Sequence, residues 1–227
     1  MKVLFNKILP ALFFVFVFSD LSAQIEIGVK GGYGYGQYFF QARDNIYLEF
    51  VPLYNGGLVF QYLNEQKVGV QASLIYVQKG WIEKTPEGGK ATYLMDFADL
   101  EVLSYLKFSK KKEHGLFLKF GPYIGYSFNN DFSYTGNIDS VQIDYDSLQA
   151  AYKKFDYGIS VGLSYTMKIK STSLQAELLF RQGMYNILER DPNGIFQSIC
   201  QALFVNFVYT IPFSRKQKIN TKAIKED

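Results

Sequence analysis

Residues 155–166 read Phe-Asp-Tyr-Gly-Ile-Ser-Val-Gly-Leu-Ser-Tyr-Thr. The odd positions Tyr157, Ile159, Val161, Leu163 and Tyr165 are apolar, and the even positions Asp156, Gly158, Ser160, Gly162 and Ser164 are polar or small. In an extended chain successive side chains point to opposite faces, so the two faces meet different surroundings. The apolar face carries no charge and has a tyrosine at each end. A strand that crosses a bilayer needs about ten tilted residues, aliphatic in the middle and aromatic at both interfaces. The stretch therefore predicts a membrane-spanning strand.

Similar segments recur on both sides of it. Alternation is found over Ile25 to Phe39, about Phe50 to Leu63, Val68 to Gly80, about Tyr93 to Phe108, Leu116 to Phe128, Ser173 to Gly183 and Gln201 to Phe213. With 155–166 these make eight, the even number expected of a single-chain bacterial barrel. Spacers after the second, fourth and sixth segments run to about six residues, and the others to between about nine and twenty-five. Short periplasmic turns, long external loops and periplasmic termini follow. The predicted fold is all-β, an eight-stranded antiparallel up-and-down transmembrane β-barrel over residues 24–213. The longest loop, about 129–154, contains Asp131, Asp139, Asp144 and Asp146.

Composition agrees with this. Aromatics are 18% of the chain, yet mean hydropathy is −0.05 and no internal run of eighteen apolar residues occurs. A helical membrane protein would show such runs, whereas strand alternation averages out. Lys2 and Lys7, an apolar run from Ile8 to Phe18 and a small-residue end at Ala23 predict a signal peptide over 1–23. Its removal takes two bases and one acid from 24 and 21, leaving 22 and 20, a charge of +2. That balance is no nucleic-acid signature. Residues 214–227 form a polar, basic tail expected in the periplasm.

A soluble eight-stranded barrel would invert the faces and crowd its exterior with Lys, Glu and Asp. Here the polar face is mostly Gly, Ser, Gln and scattered charges, which suit a narrow interior. Ten charged residues fall on that inward face: Glu26, Lys30, Lys79, Asp99, Glu101, Lys107, Lys119, Asp156, Glu177 and Arg181. Buried charges must be paired, so a polar network plugging the lumen is expected, with a narrow ion or solute path through the same residues as the alternative.

No catalytic, cofactor-binding or metal-ligating set is expected. The lone histidine, His114, falls in a predicted periplasmic turn, the wrong end for a lipid hydrolase or acyl transferase. The lone cysteine, Cys200, gives no disulfide and no thiolate metal site. The glycines Gly31, Gly32, Gly34 and Gly36 lack phosphate-loop spacing and read as small inward residues. The loop aspartates lack an EF-hand pattern. Trp81, directly after the third segment, reads as part of the outer aromatic girdle, with binding of an extracellular partner or a glycan by Trp81, Ile82 and the loop aromatics as the alternative. The basic turn at 109–114 and the tail read as solvated charge, or as a grip for periplasmic partners.

Several motifs, in order, carry a family resemblance: GVKGGYGYG at 28–36, SLIYVQKGW at 73–81, DLEVLSYLKF at 99–108, FGPYIGYSF at 120–128, FDYGISVGLSY at 155–165 and LQAELLFRQGMYNI at 174–187. In these the chain resembles the outer-membrane β-barrel family that includes PorT-like proteins of the Bacteroidota. Ser73 stands where that family usually has Glu, and Leu103 where it often has Pro. The resemblance implies an outer-membrane barrel. For its namesake branch it implies an accessory role in type IX secretion, with periplasmic or secretion-system partners beside the outer-membrane lipid.

Overall fold

The computed structural model describes residues 24–41, 47–63, 68–84, 88–108, 114–136, 153–186 and 197–213. The expected signal peptide, the basic tail, most of the basic turn, and Asp139, Asp144 and Asp146 lie outside the described residues. Nine strands are formed: β1 (Gln24–Gln41), β2 (Tyr47–Glu49), β3 (Val51–Leu63), β4 (Val68–Lys84), β5 (Lys90–Lys107), β6 (His114–Thr135), β7 (Phe155–Ile169), β8 (Thr172–Gly183) and β9 (Gln197–Pro212).

Eight of them close a ring. Each strand from β3 to β8 pairs antiparallel with the next in sequence, and β1 bridges the ends by pairing with both β3 and β9. The ninth, β2, is a flank: its three residues pair with the end of β4, from Tyr47 opposite Lys84 to Glu49 opposite Ile82. The second predicted segment is thus β3, with β2 as a short extension across Phe50. The chain's described beginning and end lie together, with the Phe213 amide donating to the Ile25 carbonyl at 2.8 Å. We call this the proximal end and the opposite one distal.

The apolar set faces outward. One aliphatic from each ring strand shows it: Val29, Leu58, Leu74, Leu100, Ile124, Val161, Leu178 and Val205 are each between 43% and 56% exposed. An apolar surface that wraps a whole barrel is far larger than a water-soluble monomer carries, and hydrocarbon is the solvent that it fits. Inside, nine of the ten charged candidates are buried, and Lys107 is half-buried. The inverted, soluble arrangement is excluded by both observations.

Toward the distal end the strands run further than alternation alone predicts. β4 continues to Lys84 and β5 starts at Lys90, so most of the expected loop at 81–92 is paired strand. β6 likewise continues to Thr135, through the first part of the expected loop at 129–154. The reason is what these extensions bury. Trp81, Tyr93, Met95, Phe97, Tyr38, Ala91 and Cys200 form an apolar cluster, with Leu48, Phe132 and Tyr134 packed on it. A second cluster joins Val51, Leu53, Ile75, Val77, Ile82, Ala202 and Phe204. His114, expected in a turn, is the first residue of β6, opposite Met167.

Two glycines show how crowded the interior is. A Cβ on Gly32 would stand 2.8 Å from Cγ of Asn206, and one on Gly158 2.8 Å from the Tyr123 hydroxyl. Gly31 corrects the expectation of an inward position: a Cβ there would meet nothing within 4 Å, because the residue is on the outer face.

Leu163 lies midway along the outward face of β7. Leu163→Arg is expected to lower stability by about 2–4 kcal/mol in urea unfolding from liposomes, and Ile169→Arg, at the strand end, by no more than about 1 kcal/mol.

Candidate functional site: the charged lumen

Strand period two sets up the site. Asp99 and Glu101 are two apart on β5, and Glu177 and Arg181 four apart on β8, so each pair shares the inner face. Lys79 on β4, Lys30 on β1, Lys119 on β6 and Asp156 on β7 reach the same space from other sides. All eight side chains are 5% exposed or less.

They connect as one alternating chain. Asp156 meets Lys79 at 2.6 Å, Lys79 meets Asp99 at 3.3 Å, and Asp99 meets Arg181 at 2.6 Å. Arg181 Nε lies 3.7 Å from Glu101, Glu101 lies 3.1 Å from Lys30, and Lys30 lies 3.1 Å from Glu177. Glu177 then pairs with Lys119. Four acids and four bases alternate, so the chain is neutral and each charge in it has at least one oppositely charged partner. Taking an ion out of water costs several kcal/mol, and close opposite charges with further hydrogen bonds are what offset it.

Those further bonds are present. The Tyr123 hydroxyl donates to Asp156 at 3.2 Å and the Ser160 hydroxyl to Glu101 at 2.8 Å. The Lys79 ammonium sits 4.0 Å from the Phe97 ring centre, and the Arg181 guanidinium 4.0 Å from that of Tyr123. Cations over aromatic faces are attracted to the ring quadrupole. At the other end Lys119 donates to Gln71 at 2.7 Å and to Gln175 at 2.9 Å, and Gln61 donates to Gln71 at 2.9 Å. This amide layer closes the chain on the proximal side.

Glu26 and Lys107, the other two candidates, stand apart from the chain at the proximal mouth. Glu26 is buried and accepts from Thr210 at 2.5 Å and Ser173 at 3.3 Å. Lys107 is half-buried, with its ammonium 5.7 Å from the Phe117 ring centre. Both line a cavity of about 60 Å³ with Tyr105, Lys119 and Lys168.

On the distal side the lumen is closed by hydrocarbon and aromatic rings. This overturns the girdle assignment of Trp81, which is 0% exposed. It stacks on Tyr93 with ring centres 4.5 Å apart and 12° between planes, and meets Tyr38 edge-on at 5.2 Å. Trp81 shares the parity of Lys79, and Tyr93, Met95 and Phe97 share that of Asp99. Extending the inward register past the charges was therefore the signal that could have found this cap. The same extension would have found Glu83, which is also buried. Cys200 belongs to the cap as a small buried residue. Among the described residues no three His, Cys, Asp or Glu side chains converge as a metal site.

A closed antiparallel ring with an apolar exterior and a charged, filled interior defines a transmembrane β-barrel. The chain belongs to the outer membrane protein beta-barrel domain family, whose model matches residues 18–214. It lies in the outer membrane. No curated protein matches it. Among solved structures it is similar to Ail, the attachment invasion locus protein of Yersinia pestis, at 12% identity over 83% of this chain and 99% of that one, TM-score 0.41. It is also similar to the outer membrane protein OprG of Pseudomonas aeruginosa, at 11% identity over 83% and 93%, TM-score 0.43. A third is Neisserial surface protein A, at 9% identity over 85% and 99%, TM-score 0.40.

Glu177 holds two cations at once. Glu177→Gln is expected to cost about 3–5 kcal/mol in urea unfolding, since it leaves buried positive charge uncompensated, and the double change Lys119→Met with Glu177→Leu less than that. Trp81 is the only tryptophan. Its fluorescence is expected to be blue-shifted and weakly quenched both by aqueous iodide and by brominated lipid, where a girdle tryptophan would be strongly quenched by the lipid.

Proposed function

We propose that this protein is a non-enzymatic outer-membrane barrel with a structural or interaction role, its termini in the periplasm and its distal strands outside the cell. The observation that carries this reading is the doubly closed lumen. A neutral eight-charge chain fills the middle and an apolar cap of Trp81, Tyr93, Tyr38 and Phe97 covers its distal side. An ion moving through would have to break buried ion pairs and then enter hydrocarbon. That leaves the two rims and the lipid-facing wall as the surfaces that can act on other molecules. All proximal connections are short, and the two longest connections, β6 to β7 and β8 to β9, are both distal, which supports the orientation.

An accessory role in a type IX-like secretion or surface-assembly machine is the second reading, and it is what the resemblance to the family that includes PorT-like proteins implies for its namesake branch. Crosslinking in intact outer membranes followed by affinity capture separates the two. Defined periplasmic or secretion proteins would come down with an accessory subunit, and the barrel alone with a self-contained surface protein. In planar bilayers the folded protein is expected to give no unitary conductance steps. Steps that change size on Glu177→Gln would overturn the sealed-lumen reading in favour of a narrow channel.

A further inference from the structure

At the distal end the wall of the barrel has a step. Pairing of β6 with β7 stops at Tyr126 opposite Phe155, followed only by the Ser127 amide donating to the Lys154 carbonyl at 2.7 Å. β6 itself continues to Thr135 on β5. The register between β5 and β6 shifts at Asp96/Phe97, so that Asn129 pairs with Asp96 and Ser127 with Phe97, leaving Phe128 as the extra residue. Such a bulge re-aims side chains, and Phe128 and Asn129 are both exposed here.

The step borders a half-open cavity of about 270 Å³, lined by Met95, Ser127, Phe128, Asn129, Asn130, Lys153 and Lys154. That is many times the roughly 30 Å³ of one water molecule. Among the described residues its lining includes two lysines and no acidic residue, and the Lys153 ammonium lies 5.1 Å from the Tyr185 ring centre beside it. The acid on the neighbouring strand, Asp96, is engaged by Tyr76 at 2.6 Å, Gln78 at 3.3 Å and Asn129 at 2.9 Å. Asp131 is exposed further along β6. The cavity lies where the outward face changes character. Tyr76, Tyr126, Phe128 and Phe155 end the apolar band, Gln78, Asp96 and Asn129 follow them, and Lys154 stands at the strand end opposite Ser127, in the register of Asp156.

We propose that this notch seats the phosphorylated headgroup of an outer-leaflet glycolipid. Lys153 and Lys154 supply the charge, Asn130 supplies an amide donor, and the acyl chains lie against Tyr126 and Phe155. A basic cavity at the apolar boundary fits an anion that arrives attached to hydrocarbon, since charge and chains are satisfied together. A freely soluble anion would gain nothing from the aromatic edge. The assignment to the outer leaflet rests on the orientation proposed above.

The test uses the full folded barrel in detergent, with diphosphorylated lipid A as the probe and retained lipid read by native mass spectrometry. The parent is expected to retain the lipid, and Lys153→Gln with Lys154→Gln to weaken retention on the order of tenfold. Lys84→Gln, which removes a charge from the exposed pair with Glu49 elsewhere on the rim, is expected to leave it unchanged. Equal retention by the double variant, equal retention of dephosphorylated lipid, or displacement by inorganic phosphate would each overturn the proposal. Lys154→Cys in a Cys200→Ala background, treated in whole cells with a membrane-impermeant maleimide, tests the orientation separately. Labelling without a lipid effect sinks the headgroup site alone. Absence of labelling in a barrel that migrates as folded sinks the orientation, and the outer-leaflet site with it.

Discussion

Hydrocarbon offers no hydrogen bonds, so every backbone amide and carbonyl inside the bilayer must find its partner within the chain. For strands, ring closure is the answer, and here β1 between β3 and β9, with β4 joined to β5, removes both sheet edges. Closure forces the rest. With one face of every strand turned to lipid, the other face has to absorb all the charge and polarity the chain carries at membrane depth. An eight-stranded ring is just wide enough for side chains to fill, so those charges meet one another rather than bulk water.

The interior solves this problem in two ways along its length. In the middle, ions alternate in sign from Asp156 to Lys119, and glutamines take over where the chain of charges ends. On the distal side the lining turns to Trp81, Tyr93, Phe97 and Phe204, which exclude water by packing. The two layers support each other. Phe97 and Tyr123 give Lys79 and Arg181 aromatic faces, so the boundary between ionic and apolar lining is bridged by cation–aromatic contacts. Glycine at Gly32 and Gly158 supplies the room that the large neighbours Asn206 and Tyr123 require.

A filled lumen leaves the rims and the lipid-facing wall as the accessible surfaces. The strands of β4, β5 and β6 carry the inward packing past the apolar band, and this gives the distal rim a rigid, paired platform where a loop was expected. The step between β6 and β7 is a product of the same extension, because β6 keeps a partner in β5 after β7 has ended. The proximal mouth differs in kind, with Glu26, Lys107 and Lys168 beside Tyr105 and Phe117 around a small cavity.

The sequence by itself determined the membrane-facing architecture. Strict alternation, as in 155–166, assigns each residue to lipid or lumen, and eight such segments with alternating spacer lengths define the up-and-down ring. It also put ten charges on the inner face, because parity is a local property. What only the tertiary structure decided is who meets whom. Lys30 and Glu101 are 71 positions apart and Arg181 and Asp99 are 82 apart, and their contact depends on ring closure and on the stagger of strands, which alternation does not encode. Trp81 shows the same limit. Its position just after an apolar segment is compatible with a lipid-interface girdle, and only the continued pairing of β4 with β5, stabilised by the rings it packs against, turns it into the plug.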